Sequence, residues 1–437
     1  MTPGKQLARK IFSDTLAALD IPRMMELKLT LSGCILTLEE VAIDLSVFSS
    51  VYVVAIGKAA HSMATGLRSF LPDSFELKGV VAAPTNPEIP VSGLQYFVAG
   101  HPDPNIDSWR SAEAILSLLR GADDRSVVFF LLSGGGSALT ELPIVPGMRL
   151  EDLQAANHAL VTCGAPIDTM NTVRRHLSAV KGGRLALAAA RATKVTLAVT
   201  DVPAGKEHAL ASGPTVPDPS TIADVNRILE HYGLRTKFPD VLVDWLDAGS
   251  MPETPKPGDP AFQNAHFQLL LGMHDLFHAA HHASEARGYV TCCDNSTDDW
   301  RVAGAADALL KKLEEWKNEN PGQRVALIAD GELSSPVTGS GIGGRNSAFV
   351  LACVEKIAGR KITVLSAGTD GMDGNSPAAG AVADGESFDR AKARGLAAAE
   401  AFEQSDAYTF FKQLGDAILT GPTGNNLRDL RILLAEP

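Results

Sequence analysis

The chain has 437 residues, with 51 acidic against 39 basic side chains, a formal net charge of −12, and 45% hydrophobic against 21% charged residues. That balance excludes a disordered chain, and the acidic surplus excludes nucleic acid as the main partner, because a phosphate backbone calls for a basic face. No uncharged apolar run reaches the about 18 residues of a membrane span, and Met1–Leu29 lacks the apolar core of a signal peptide.

The cysteines Cys34, Cys163, Cys292, Cys293 and Cys353 form no C-x-x-C pair, so the expected setting is a reduced cytoplasm without membrane association. Strands are expected at 51–56, 80–83, 127–132, 195–199, 325–328 and 362–365. Helical patterns lie between them at 108–119, 150–163, 181–191, 303–316 and 347–357. Nearly continuous apolar strands alternating with helices predict a parallel sheet covered on both faces. The expected class is α/β: two α/β domains with mostly parallel sheets flanked by helices and an active site in the cleft between them. The stretch 248–260 holds four prolines and two glycines and reads as a linker, giving domains 1–247 and 261–437.

Five loops share one form: a strand, then glycines with small hydroxyl or charged residues, then a helix. The first, AIGKAA, sets Lys58 in a strand-to-helix turn where its ammonium can meet a phosphate or carboxylate; a solvated lysine would read the same way. The second is Ser133-Gly134-Gly135-Gly136-Ser137. Its glycines let backbone N–H groups crowd around an anion, and its serines add donors, unless it is a plain flexible turn. It is no Walker A loop, since G-K-[ST] occurs nowhere in the chain. The third surrounds Asn171, with Arg174, Arg175, Lys181 and Arg184; Gly182 and Gly183 interrupt its helical pattern. It is either an anion site or a solvated basic helix face.

In the fourth, Asp201 closes a strand and could hold Mg²⁺ beside phosphate oxygens or simply cap a turn. The fifth, GSGIGGRN, matches G-x-G-x-x-G, but the preceding strand ends near Asp330, too early for a dinucleotide loop, and the next leads to Ser366 rather than to an acid. It reads better as an anion loop in which Gly343 and Gly344 precede Arg345 and Asn346, followed by Thr369 and Asp370 in SAGTDG. His274, His278, His281 and His282 share a helical stretch without H-E-x-x-H and read as structural.

Taken in order, AIGKAA, LLSGGGSAL, MNTVRRHLSAVKGGRLA, ASGPTVPDP, GIGGRN, LSAGTDGMDG and GPTGNNLRDLRI resemble the glycerate 2-kinases that carry a C-terminal leucine-rich MOFRL domain. The resemblance runs from Val51 to the C-terminus. It implies transfer of phosphate from ATP, with Mg²⁺, to the 2-hydroxyl of D-glycerate, with Lys58 and Arg345 catalytic. Ser133–Ser137, Asn171, Arg175, Lys181–Arg184, Gly343, Gly344, Asn346 and Thr369 would then bind nucleotide or acceptor, and Asp201 and Asp370 are the candidates for metal ligand or base. The expected partners are ATP and a small hydroxy acid, and a homodimer is left open. Acidic residues usual in the family are missing near Lys206, at Ala348 and at Pro377, and GPTGTN has become GPTGNN with Asn425. These departures keep a kinase for another short sugar acid as an alternative; an NAD(P)H-dependent hydroxypyruvate reductase is another, carried by GSGIGG alone.

Overall fold

The computed structural model describes every residue except Glu40, Asp201, Pro203 and Ala204. Its contacts divide the chain into two units, Ile21–Leu271 and Met1–Asp20 together with Gly272–Pro437.

In the unit Ile21–Leu271, β1 (Leu29–Ser32), β2 (Ile35–Leu38) and β3 (Val41–Asp44) form an antiparallel meander. The main sheet comprises β4 (Ser50–Ile56), β5 (Leu77–Ala83), β6 (Leu94–Val98), β7 (Ser126–Ser133), β8 (Thr193–Val199) and β9 (Ala265–Leu271). Its order is β6-β5-β4-β7-β8-β9, and every neighbouring pair is parallel. Val53–Ile56 and Val127–Leu132 are buried throughout, as strands covered on both faces must be. Ala112, Ile115 and Leu119, from the helix Ile106–Leu119, pack in one core with Val54, Val128 and Phe130. From β4 the chain builds outward to β6, then returns to β7 and builds outward the other way. The order therefore reverses between β4 and β7, and in such sheets ligands bind beyond the strand ends at that switch point.

A second, helical core gathers Leu153, Leu160, Val173, Val225, Leu229, Leu242 and Leu246, and with them Met251. Met251 belongs to the proline-rich stretch expected as a linker. Thr254 there is buried and donates to Asp218 (3.0 Å), and the Asp218 N–H donates to the Pro255 carbonyl (3.0 Å). The stretch 248–260 is thus docked inside this unit, whereas the expected limits 1–247 and 261–437 set it outside both domains. Prolines forbid helix and ladder here but leave side chains free to pack. The break falls after β9, because that strand completes the edge of the parallel sheet.

The other unit holds a six-stranded sheet of β10 (Val290–Asp294), β11 (Val325–Asp330), β12 (Ile362–Gly368), β13 (Gly380–Asp384), β14 (Ala417–Ile418) and β15 (Asp429–Ala435), in the order β10-β11-β15-β12-β13-β14. Only β10 and β11 pair in parallel; the last strand, β15, is inserted antiparallel to both β11 and β12. The α/β class holds, but the expectation of mostly parallel strands fits the first sheet alone. Leu309 and Leu313 of the helix Val302–Glu319, with Phe349 and Val350 of Arg345–Val354, form the core with Leu327 and Val364.

The N-terminal helix Pro3–Ala18 belongs to this unit for an electrostatic reason. Lys5 is wholly buried, with Nζ 2.7 Å from Asp416 and 3.3 Å from Asp384. Lys5→Ala would leave buried Asp384 without its cation and Asp416 with Arg390 alone, and breaking such a group costs about 3–5 kcal/mol. Chemical denaturation of the variant should show that loss; an unchanged midpoint would mean that the helix is not anchored through Lys5.

Candidate active site

At the switch point the loops after β4 and β7 interlock. The Lys58 N–H donates to the Gly134 carbonyl (3.0 Å), and the Ala59 N–H donates to Ser133 Oγ (3.0 Å). Gly57 has φ +131°, and a Cβ on it would lie 2.1 Å from Ser133 Oγ and 2.6 Å from the Ser133 carbonyl oxygen. No other residue fits. Gly135, at φ +83°, precedes the short helix Gly136–Leu139, and a Cβ on Gly136 would meet Ala211 at 2.7 Å. Ser137 Oγ shares a 2.7 Å hydrogen bond with Ser212 Oγ. That contact fixes a strained turn in which Ala211, Ser212 and Gly213 all have positive φ. The structure thus brings together Lys58 and Ser133–Ser137.

It also brings in a residue that the sequence reading passed over. A Cβ on Gly135 would lie 3.1 Å from His101 Cδ2, 3.3 Å from His101 Nε2 and 3.4 Å from Lys58 Cγ. An isolated histidine in a proline-rich loop carries no motif; only the carboxyl-end position of its loop, after β6, could have drawn attention to it.

The basic run is placed differently from expectation. Lys181 is buried against Glu141, and burial pulls its ammonium below the ordinary value while Glu141 pulls the other way. Arg175 is buried too, with Nε 2.9 Å from Asp218 and Nη2 bonded to Thr172 and Ser220. Arg184 donates to the Pro252 carbonyl (3.3 Å), and Asn171 accepts from Arg174 (3.4 Å). Gly182 and Gly183 adopt φ +56° and +82° and donate to the Ser212 and Gly213 carbonyls, so the helix starts only at Arg184. Lys181 and Arg175 are thus held by Glu141 and Asp218, as buried cations require, while Arg184 has no carboxylate among its hydrogen-bond partners and its buried Nε has none at all. The Gly182 and Gly183 N–H groups buttress the Ser212 turn.

In the other unit, Arg345 opens the helix Arg345–Val354 as expected, but it is no lone cation. Its Nε and Nη2 grip Asp429 at 2.5 and 3.4 Å, and Nη1 donates to Glu332 (2.8 Å). Burial works to lower its pKa, yet the two carboxylates hold it above the ordinary value. The anion expected over GIGG is supplied by the protein itself. Asp373 accepts from the N–H groups of Asn346 (2.9 Å) and Ser347 (2.8 Å) and from Ser347 Oγ (2.6 Å). A Cβ on Gly344 would lie 2.3 Å from Asp373 Oδ1, so that glycine admits the carboxylate. The Gly343 N–H donates to Asn375, Asn346 accepts from Ser366, and Thr369 accepts from the Leu427 N–H. GIGGRN is therefore a helix start capped from within the protein by Asp373.

Asp370 accepts the Met372 N–H (3.0 Å), and Asp201 lies outside the described residues. Of the departures, Lys206 is exposed and 4.0 Å from Asp168, and Asn425 donates to the Leu19 carbonyl at the end of the N-terminal helix.

Residues 7–247 match a domain of unknown function, DUF4147, and residues 325–429 match the MOFRL family. The D-glycerate 2-kinase of Thermotoga maritima is 35% identical over 385 residues, covering 87% of this chain and 90% of that protein. A glycerate kinase of Rattus norvegicus is 31% identical over 499 residues, covering 100% of this chain and 95% of that one. The crystal structure of Thermotoga maritima glycerate kinase aligns with a TM-score of 0.83 at 32% identity, over 99% of both chains.

Asp330, at the end of β11, is fully buried, and neither of its carboxylate oxygens has a hydrogen-bond partner. Burial pushes its pKa up to about 6, against the pull of Arg428 and Arg431. A carboxyl whose folded pKa exceeds its unfolded value binds its proton more tightly when folded. Its contribution to stability therefore falls as pH rises from about 4 to about 6. Asp330→Asn should remove that fall, gaining up to about 3 kcal/mol on wild type between pH 4 and 7. Urea midpoints across this range test it, and parallel curves for the two proteins would refute it.

Proposed function

The chain belongs to the family of glycerate kinases that carry a MOFRL domain, and from that premise we propose that it transfers the γ-phosphoryl group of ATP to the 2-hydroxyl of D-glycerate, giving 2-phosphoglycerate. The observation that carries the reading is the meeting of Lys58 with the Ser133–Ser137 loop where the parallel sheet reverses its order. Phosphoryl transfer asks chiefly for positioning and for positive charge around the moving group. Lys58 supplies the charge. Gly134–Gly136 supply a floor without side chains, and the first turn of the helix at Gly136 offers N–H groups that have no intrahelical acceptor. Arg345 has the second catalytic role that the family resemblance implies.

Mg²⁺ enters the reading only as the nucleotide's counter-ion. Among the described residues no group of three or more His, Cys, Asp or Glu side chains is placed to hold a metal, and Asp370 does not make a cage by itself. No catalytic step is assigned to the ion.

The purified protein should release ADP from ATP when D-glycerate is added, and phosphorus NMR should identify 2-phosphoglycerate; a 3-phosphoglycerate signal would overturn the assigned position. Lys58→Ala and Arg345→Ala should each lower kcat by about 10²-fold or more, the scale of losing a transition-state charge contact. A near-normal kcat in either variant would remove that residue from the mechanism. NADH should remain unoxidised with hydroxypyruvate, and saturable NADH turnover would replace the kinase reading with a reductase.

A further inference from the structure

We propose that His101 is a catalytic base of this reaction, its Nε2 taking the proton from the acceptor's hydroxyl. The inference deepens the phosphotransfer reading and rests on it.

The placement of the ring comes first. His101 follows β6 at the carboxyl edge of the parallel sheet and is exposed there. Its Nε2 edge and the Lys58 stem flank the same residue, Gly135, which has no side chain to separate them. A base and a cation thus border one patch of bare backbone. The loop that carries the ring is pinned on both sides. Before it, the Ala99 N–H donates to the Ala83 carbonyl (2.9 Å) and the Gly100 N–H to Ser108 Oγ (3.1 Å). After it, Asn105 caps the helix Ile106–Leu119 through the N–H groups of Asp107 and Ser108, and its Nδ2 donates back to the Val98 carbonyl (3.2 Å). A catalytic group needs this kind of support to hold its aim.

The chemistry comes second. Phosphoryl transfer to an alcohol releases the hydroxyl proton, and an imidazole, titrating near neutral pH, is suited to accept it. The neighbouring groups of the patch have other roles. Ser133 is buried and accepts from Ala59, Ser137 is bonded to Ser212, and Lys58 brings positive charge. Lys58 faces the ring across Gly135, and Asp103 follows it on its own loop. In the step, the hydroxyl oxygen bonds to the γ-phosphorus and the bond from that phosphorus to the β–γ bridging oxygen breaks. ADP leaves with the electron pair, and the proton passes to Nε2. The imidazolium then returns it to solvent.

The test is the pH dependence of glycerate-dependent ADP release between about pH 5 and 9, where an imidazole titrates, for wild type, His101→Gln and His101→Ala. Melting curves and calorimetric ATP binding accompany it. Wild type should lose activity on the acid side with a one-proton limb. His101→Gln should lower kcat by about 10²-fold or more, flatten that limb, and leave ATP affinity unchanged. Added imidazole should restore part of the rate in His101→Ala. A near-normal kcat, or a lowered rate with the acid limb retained, would overturn the role of His101 while leaving the kinase reading intact. If wild type releases no ADP with glycerate, both fail together.

Discussion

The candidate site depends on how closely two loops approach at the reversal of the parallel sheet. β4 and β7 pair in register, Ile56 opposite Leu132, so the two loops leave the sheet at the same level. They are joined by one backbone bond, from Lys58 to Gly134, and one to a side chain, from Ala59 to Ser133. Both require Gly57 to have no Cβ. From that contact the rest follows in sequence: Gly135 turns, Gly136 presses on Ala211, and Ser137 engages Ser212. The Ser212 and Gly213 carbonyls then accept from Gly182 and Gly183. Backbone polar groups buried in such a stack must all find partners, which explains why the turn at 211–213 tolerates three left-handed residues in a row.

Much of this was legible in the sequence, and the reason is burial. Strands covered on both faces are written as continuous apolar runs, so β4, β7, β8, β11 and β12 stand out. β6 is a half-exposed edge, β9 begins with Ala265 and His266, and β13 is made largely of small residues; none has a strong pattern. The glycine loops were also visible, but not what their glycines admit. Gly344 makes room for Asp373, whose sequence position gave no sign of capping a helix that starts near Arg345. The proline-rich stretch misleads for the same reason: composition reports what the backbone cannot form, not where Met251 docks.

Charge was the least legible feature. The run from Arg174 to Arg184 looks exposed because its neighbours in sequence hold no acid. Its partners lie far along the chain: Glu141 precedes Lys181 by 40 residues and Asp218 follows Arg175 by 43. A buried ion pair of this kind does little for stability compared with apolar side chains of similar volume, but removing one partner is costly. Next to Lys181 in sequence, Gly182 and Gly183 hold the strained turn at 211–213 through their N–H groups.

The same reasoning separates the two cations that the family resemblance assigns to catalysis. Arg345 is held by Asp429 and Glu332, so the group as a whole carries a net negative charge. Its positive charge is therefore masked at a distance, and what it can offer a phosphoryl oxygen is short-range, a planar guanidinium fixed in orientation by a side-on grip. Asp429 supplies that grip from the start of β15, a strand buried over its whole length, while Asp373 fixes the helix start from which Arg345 extends. Lys58 is the opposite case. Its backbone is locked between two loops, whereas its flexible stem runs past a bare glycine and can follow charge as it moves. On the proposed reading the two residues are not interchangeable: lysine contributes charge that adapts, and arginine contributes direction that does not.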